Sequence, residues 1–163
     1  MKQLNIGCGK NLLKGYLNID IRKPYDMKIN LNKFPYPFKT NSVDYVLMDN
    51  VLEHLDNPVK VIEELYRITK PSGHIKIIVP FYNCHHAYAD ITHKSFYCLD
   101  TFDNFDIEKK DKFYNLSKAK FTIKKTLIPT ILACWIPYDF LNIIALTFGN
   151  IVRNIIFEMR PIK

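Results

Sequence analysis

Residues 43–79, VDYVLMDNVLEHLDNPVKVIEELYRITKPSGHIKIIV, decide the fold class. Val43–Met48 is an apolar run of strand length. Asn57 followed by Pro58 marks a helix start, a capping side chain and then a proline whose missing N–H costs nothing in the first turn. Val59, Ile62, Leu65, Tyr66 and Thr69 then recur at helical spacing, with Lys60, Glu63, Glu64 and Arg67 mostly on the other side. Pro71 and Gly73 are read as the stop of that helix, and Ile75–Val79 as the next strand, closed by Pro80. A strand, a helix and a strand in this order predict a parallel crossover.

Upstream, Leu4–Ile6 reads as a short buried strand running into the turn Gly7–Cys8–Gly9. Tyr16–Ile21 alternates as a second strand, and Met27–Leu31 is a weaker third. Pro35 and Pro37 make residues 32–42 a loop. Downstream, residues 82–105 are rich in histidine and aromatics and read as loop with short helical pieces. Phe121–Ile123 is a candidate sixth strand, Tyr138–Ile151 a helix and Ile155–Arg160 a final strand. Strands that alternate with a crossover helix predict an α/β sheet, whose ligands bind beyond the carboxyl ends of the strands.

Whole-chain properties narrow the rest. The 163 residues carry 48% hydrophobic and 24% charged side chains, which excludes wholesale disorder. No linker or internal repeat divides the chain, so one domain over 1–163 is expected, with a cofactor-binding half (1–82) and an acceptor-site half (83–163). A net charge of +7 favours anionic partners. Residues 109–125 hold seven lysines against Asp111, interleaved with Phe113, Tyr114 and Phe121. They read as a lysine-guarded strand edge or a nucleic-acid surface. Cys8, Cys84, Cys98 and Cys134 form no CxxC pair, and the first ten residues lack the apolar run of a signal peptide, so a reducing cytoplasm is expected. Residues 131–152 carry a single formal charge, Asp139, but Pro137, Asn142 and Gly149–Asn150 interrupt them. A buried or interface-lying helix is the better reading than a membrane span. The region 127–152 is accordingly a candidate for pocket cover, a homodimer contact or a membrane-surface contact.

Chemistry gathers at the strand ends. Glycines at 7 and 9 let the backbone approach a ligand closely. Asp20, ending the second strand eleven residues later, can accept two hydrogen bonds from a ribose diol. That gap leaves almost no room for a first helix.

LNIGCGKNLLKGYLNIDI, together with the strand-plus-VLEHL element and KPSG before the fifth strand, resembles the class I S-adenosylmethionine-dependent methyltransferases. The likeness is to their small type-11-like branch with a truncated first helix. It covers residues 3–82 and extends more weakly through HHAYADITHKSF. The resemblance implies a Rossmann-like sheet of seven mostly parallel strands with helices on both faces and an antiparallel last strand. Its cofactor would be S-adenosylmethionine, its acceptor a small or medium metabolite, for example a sugar or a lipid-linked molecule. Nucleic-acid methylation, or cofactor binding without catalysis, are the alternatives. The cofactor contacts implied are Asn5, Gly7, Cys8, Gly9, Asp20, Ile21, Asn30, Leu31, Asp49, Asn50 and His54. Asn5 and Asn30 stand where the family often has acids. Methyl transfer from a sulfonium mainly requires alignment and exclusion of water, with a base where the acceptor is a hydroxyl or protonated amine. His86, Asp90 and His93 are the catalytic candidates, with His85 beside them. The same cluster can alternatively serve structural hydrogen bonding or ligate a metal such as zinc. The reading taken is an acceptor site without metal.

Overall fold

The computed structural model describes residues 1–109 and 116–163. Phe113 and Tyr114 of the lysine-rich stretch lie outside the described residues. Seven strands form one sheet: β1 (Gln3–Ile6), β2 (Leu17–Asp20), β3 (Met27–Lys28), β4 (Val43–Asp49), β5 (Thr69–Pro80), β6 (Lys120–Pro129) and β7 (Val152–Ile162). Their order is β3-β2-β1-β4-β5-β7-β6. The pairs among β1 to β5 are parallel, while β7 runs antiparallel between β5 and β6. This is the Rossmann-like arrangement expected, with strand order reversing between β1 and β4.

The crossover between β4 and β5 is α1 (Pro58–Ile68). Asn57 caps it, its side chain accepting from the Lys60 N–H at 3.0 Å. Val61, Ile62, Leu65 and Ile68 are buried. They join one core with Ile75, Ile77 and Val79 of β5 and Ile155, Phe157 and Met159 of β7. The two sets of strand residues lie opposite one another in register, which is the period-two pattern of a sheet with one buried face. On the other face His74, Lys76, Ile78, Ile156 and Glu158 stay half-buried. The remaining helices are α2 (His85–Ala89) and α3 (Tyr138–Thr147). Residues 7–16, between β1 and β2, hold turns only, so the first helix is absent as the spacing required.

Some boundaries differ from the sequence reading. The helix ends at Ile68, and β5 starts at once, running through Pro71 and Gly73. The register of β4 on β5 shifts between Val43 and Tyr45, which accommodates these strand-averse residues at a bulge. The third strand shrinks to Met27–Lys28, β6 extends to Pro129, and α3 stops at Thr147. No helix among the described residues is long and apolar enough to cross a membrane.

A clamp ties α1 to the loop before β4. Arg67 on α1 donates to both oxygens of Glu64 at 2.8 Å, to the Phe38 carbonyl at 2.8 Å and to the Tyr36 carbonyl at 2.9 Å. Glu64 in turn accepts from the Tyr36 N–H at 2.7 Å, and the Tyr36 hydroxyl donates to the Leu31 carbonyl. Burial alone would raise the Glu64 carboxyl, but the Arg67 and Tyr36 donors hold it below its usual range. Arg67→Met should therefore lower stability by about 1 to 2 kcal/mol in urea unfolding, because it removes the charged donor from a half-buried carboxylate that then keeps only the Tyr36 N–H, and takes the Arg67 donor from the Phe38 carbonyl. A change under about 0.5 kcal/mol would show the loop 29–38 to be held by other contacts.

Candidate active site

The glycine turn sits beyond the carboxyl end of β1, beside the point where strand order reverses. Gly7 and Cys8 both donate to the Ile19 carbonyl, at 2.7 and 3.0 Å. These bonds fold the turn back toward β2 and bring Gly9 to Asp20, whose Oδ2 accepts from the Gly9 N–H at 2.9 Å. Asp20 Oδ1 accepts from the Arg22 N–H at 2.9 Å. Each carboxylate oxygen thus keeps lone-pair capacity for a further donor. Gly9 has φ +53°, and a Cβ placed there would meet no atom within 4 Å. Its outer face is an open backbone shelf beside a carboxylate, which suits a ribose diol with its attached chain.

An amide network props up this turn. Asn5 donates through Nδ2 to the Asn11 carbonyl at 2.8 Å and to Asn18 Oδ1 at 2.9 Å. Asn18 also accepts from the Leu13 N–H and donates to Asp26. With both Nδ2 protons used and the residue 3% exposed, Asn5 orients the loop from beneath. Asn18 lies in the segment GYLNID, where the sequence alone assigns it no role. Its polar burial among strand residues is the signal that hydropathy alone does not show. Cys8 is buried, and burial raises its thiol pKa, as suits a filler. Ile21 is 49% exposed. Leu31 is buried, while Asn30 Oδ1 accepts from the Asn32 N–H and closes its own turn.

Further along the rim, Asp49 and Asn50 end β4. Asn50 takes φ +52°, a left-handed conformation asparagine tolerates. Its side chain donates to Asp49 and accepts from Asn154 Nδ2 at 3.2 Å. From there a hollow of about 340 Å³ opens, lined by Asn50, Glu53, His54, Asp90, His93 and Arg153 among others. His86 is exposed at the same hollow. The structure therefore gathers His54, His86, Asp90 and His93 in one place and keeps Gly7, Gly9 and Asp20 apart, on the open shelf. A second hollow, of about 440 Å³, includes Asn83, Cys84, His85, Tyr88 and Asn150 in its lining. Ala89 belongs to both.

Sequence reasoning passed over Glu53, the acid of the VLEHL element, as a site residue. It is 1% exposed, and burial pushes its carboxyl up to about 7 against the opposing pull of His93. His93 Nε2 stands 4.0 Å from Glu53 Oε1. Burial lowers the pKa of His54, and His93 beside it acts in the same sense. Asp90 binds the Thr92 hydroxyl and N–H, which hold its carboxyl below the usual range. Thr92 in turn bonds His54, so Asp90 acts on the ring from behind. In the lysine-rich stretch, Lys125 pairs with Asp103 and Lys120 donates to the Asn104 carbonyl, so both are turned toward the fold.

Comparison with known proteins finds the same fold. A family profile described as a methyltransferase domain matches residues 27–77. An uncharacterised protein of Methanocaldococcus jannaschii is 31% identical, over 96% of this chain and 76% of its own length. The demethylmenaquinone methyltransferase of Oceanobacillus iheyensis is 32% identical over 76 residues, which is 43% of this chain and 32% of that enzyme. Among solved structures, an S-adenosylmethionine-dependent methyltransferase from Archaeoglobus fulgidus superposes with a TM-score of 0.67 at 16% identity, covering 98% of this chain and 85% of that one.

Proposed function

We propose that the chain, whose fold and methyltransferase-domain match fit the class I S-adenosylmethionine-dependent methyltransferases, methylates a small or medium metabolite with a polar head and an apolar, for example lipid-linked, portion. The observation that carries the reading is the Gly9 N–H on Asp20 at the switch in strand order, with a polar hollow further along the same rim.

The cofactor supplies, when bound, a methyl group already activated on a sulfonium. The chain's own residues then have three tasks. Asp20 holds the ribose hydroxyls, and the Gly7–Gly9 backbone leaves room for the methionine portion. Asn30 and Leu31, braced through Tyr36 by the Arg67 clamp, flank the base. Asn50, tied to Asn154, separates this shelf from the hollow and turns the acceptor toward it. His93 is positioned to take the acceptor's proton: its Nδ1 donates to the Ala87 carbonyl at 2.8 Å, which leaves the Nε2 lone pair facing inward. Glu53 beside it stabilises the charge that proton brings. Asp90 works as a positioning residue through Thr92 and His54, and His86 contacts the acceptor at the mouth.

The apolar portion of the acceptor has a place to go. The second hollow adjoins the first through Ala89 and lies against the end of α3, where Asn83 donates to the Ala145 carbonyl. Around α3, Trp135, Phe140, Ile143 and Leu146 are between 59% and 78% exposed. Such a surface suits a lipid-linked acceptor, presented at a membrane face or carried free. A relative named for demethylmenaquinone is consistent with an apolar acceptor.

The test is to incubate the protein with methyl-labelled S-adenosylmethionine and a cell extract, then partition the products. Label is expected in small molecules extracted into organic solvent. His93→Ala is expected to reduce transfer by about 100-fold or more while cofactor affinity stays within about twofold. Label in nuclease-sensitive polymer would replace this reading with the nucleic-acid one. No label above the background of cofactor hydrolysis would leave a binding protein without catalysis.

A further inference from the structure

We propose that Glu53, His54 and His93 bind one divalent metal ion of the zinc class in the wall of the acceptor hollow. The protons around this cluster are fixed by partners outside it. The Ala87 carbonyl can only accept, so His93 Nδ1, 2.8 Å away, carries the ring proton. The single Thr92 hydroxyl proton goes to Asp90 Oδ1 at 2.7 Å. The 2.9 Å contact between Thr92 and His54 Nδ1 is therefore donated by the ring. Each neutral imidazole thus keeps its lone pair on Nε2. Glu53 adds a carboxylate whose two oxygens are buried and have no hydrogen-bond partner among the described residues. One donor atom from each of the three residues lies within 4.8 Å of the other two, and the imidazole rings meet edge to face at 4.7 Å.

This is a group of acceptors that lacks a donor, which folded interiors seldom leave unfilled. A proton shared between His93 and Glu53 does not answer it, because their 4.0 Å separation is well beyond a hydrogen bond of about 2.9 Å. A cation does. At the centre of a triangle of this size an ion lies at most about 2.8 Å from each donor, and closing to a zinc–ligand distance near 2.0 Å moves each side chain by at most roughly 0.8 Å. Two imidazoles and a carboxylate form the donor set of zinc sites that keep a position open. The outer supports match as well: one ring is tied through its other nitrogen to a carbonyl, the other to a hydroxyl held by a carboxylate. The open side of the ion faces the hollow, where Asn50, Arg153 and Asn154 stand. It takes a hydroxyl or carboxylate oxygen of the acceptor. That contact rests on the hollow being the acceptor site, whereas the ion site stands on its three side chains. With the ion bound, His93 Nε2 is a ligand and takes no proton; an acceptor hydroxyl on the ion is acidified by it and releases its proton to solvent instead.

The experiment uses tag-free full-length protein, stripped with a chelator and titrated with Co²⁺ while the visible d–d absorption is followed, then with Zn²⁺ in competition. The expected result is saturation at one equivalent and displacement by zinc. Glu53→Gln and His93→Ala should each weaken binding by at least about 100-fold, and Thr92→Val by about 10-fold. Cys134→Ser, which removes an exposed thiol far from the cluster in sequence, should change nothing. Thr92→Val keeps the test open should either ligand variant fail to fold. No saturable cobalt band, or equal affinity in Glu53→Gln, overturns the site. S-adenosylhomocysteine titrated into the same samples separates the two readings. Its binding retained without a cobalt band removes the metal alone, and a cobalt band without its binding removes the methyl-transfer reading alone.

Discussion

Replacing Gly7 with alanine is expected to cost about 3 to 4 kcal/mol of stability, a large fraction of the roughly 5 to 15 kcal/mol that a domain has in hand. Two effects add. At φ +70° a side chain is strained by roughly 1 to 2 kcal/mol. The new Cβ would also stand 2.4 and 2.6 Å from the two methyl carbons of Val51, and overpacking of this kind costs about 1 to 3 kcal/mol. Val51 cannot swing freely, because it is 9% exposed and belongs to the core. Gly9→Ala is the contrast: its φ of +53° brings similar strain, but its Cβ would meet nothing within 4 Å. It should fold with a loss of about 1 to 2 kcal/mol and still bind S-adenosylmethionine poorly, because its methyl occupies the shelf. Adding Val51→Ala to Gly7→Ala should recover part of the overlap. Urea unfolding measures all three, and equal midpoints for the Gly7 and Gly9 variants would contradict the packing described.

The second large effect is expected at Asp20. Asp20→Ala should weaken S-adenosylmethionine binding by about 100-fold or more, since a hydrogen bond to a charged group is worth about 1.5 to 3 kcal/mol and the ribose offers two. Part of the loss is indirect: the same carboxylate fixes the Gly9 N–H, so the variant also loosens the shelf. Asp20→Asn keeps one acceptor and should fall between the two. Calorimetry on folded variants checks the order, and an Asp20→Ala protein that binds as tightly as the parent would remove Asp20 from the site.

Much of this arrangement is legible in the sequence, and the reasons are local. Asn57–Pro58 starts a helix by its own chemistry, and α1 begins there. The eleven residues from Gly9 to Asp20 are too few for a helix and a return, and none forms. The features that escape the sequence depend on distant partners. Pro71 and Gly73 look like chain breaks, yet they lie within β5 because β4 shifts register beside them. Thr122 and Lys124 blur β6 in one dimension, although they only mark its outward face next to Phe121 and Ile123. Glu53 is the clearest case. An acid before a histidine reads as surface, and only the packing of the Leu52–His54 turn against the residues after β5 shows it buried with its oxygens unpaired. The histidine and aspartate cluster is visible as a group in the sequence. Its internal arrangement, with Asp90 bonded to Thr92 and His93 facing Glu53, needs the distances.

The methyl-transfer reading depends on an adenosyl group lying between the glycine turn and Asp20. At 19.2 kDa the protein suits an amide-resolved NMR titration with S-adenosylhomocysteine. The amides of Gly7, Cys8, Gly9, Asp20, Ile21, Leu31 and Asn50 are expected to shift together along one saturating curve. Shifts confined to other parts of the chain, with Gly9 and Asp20 unmoved at saturation, would contradict that placement.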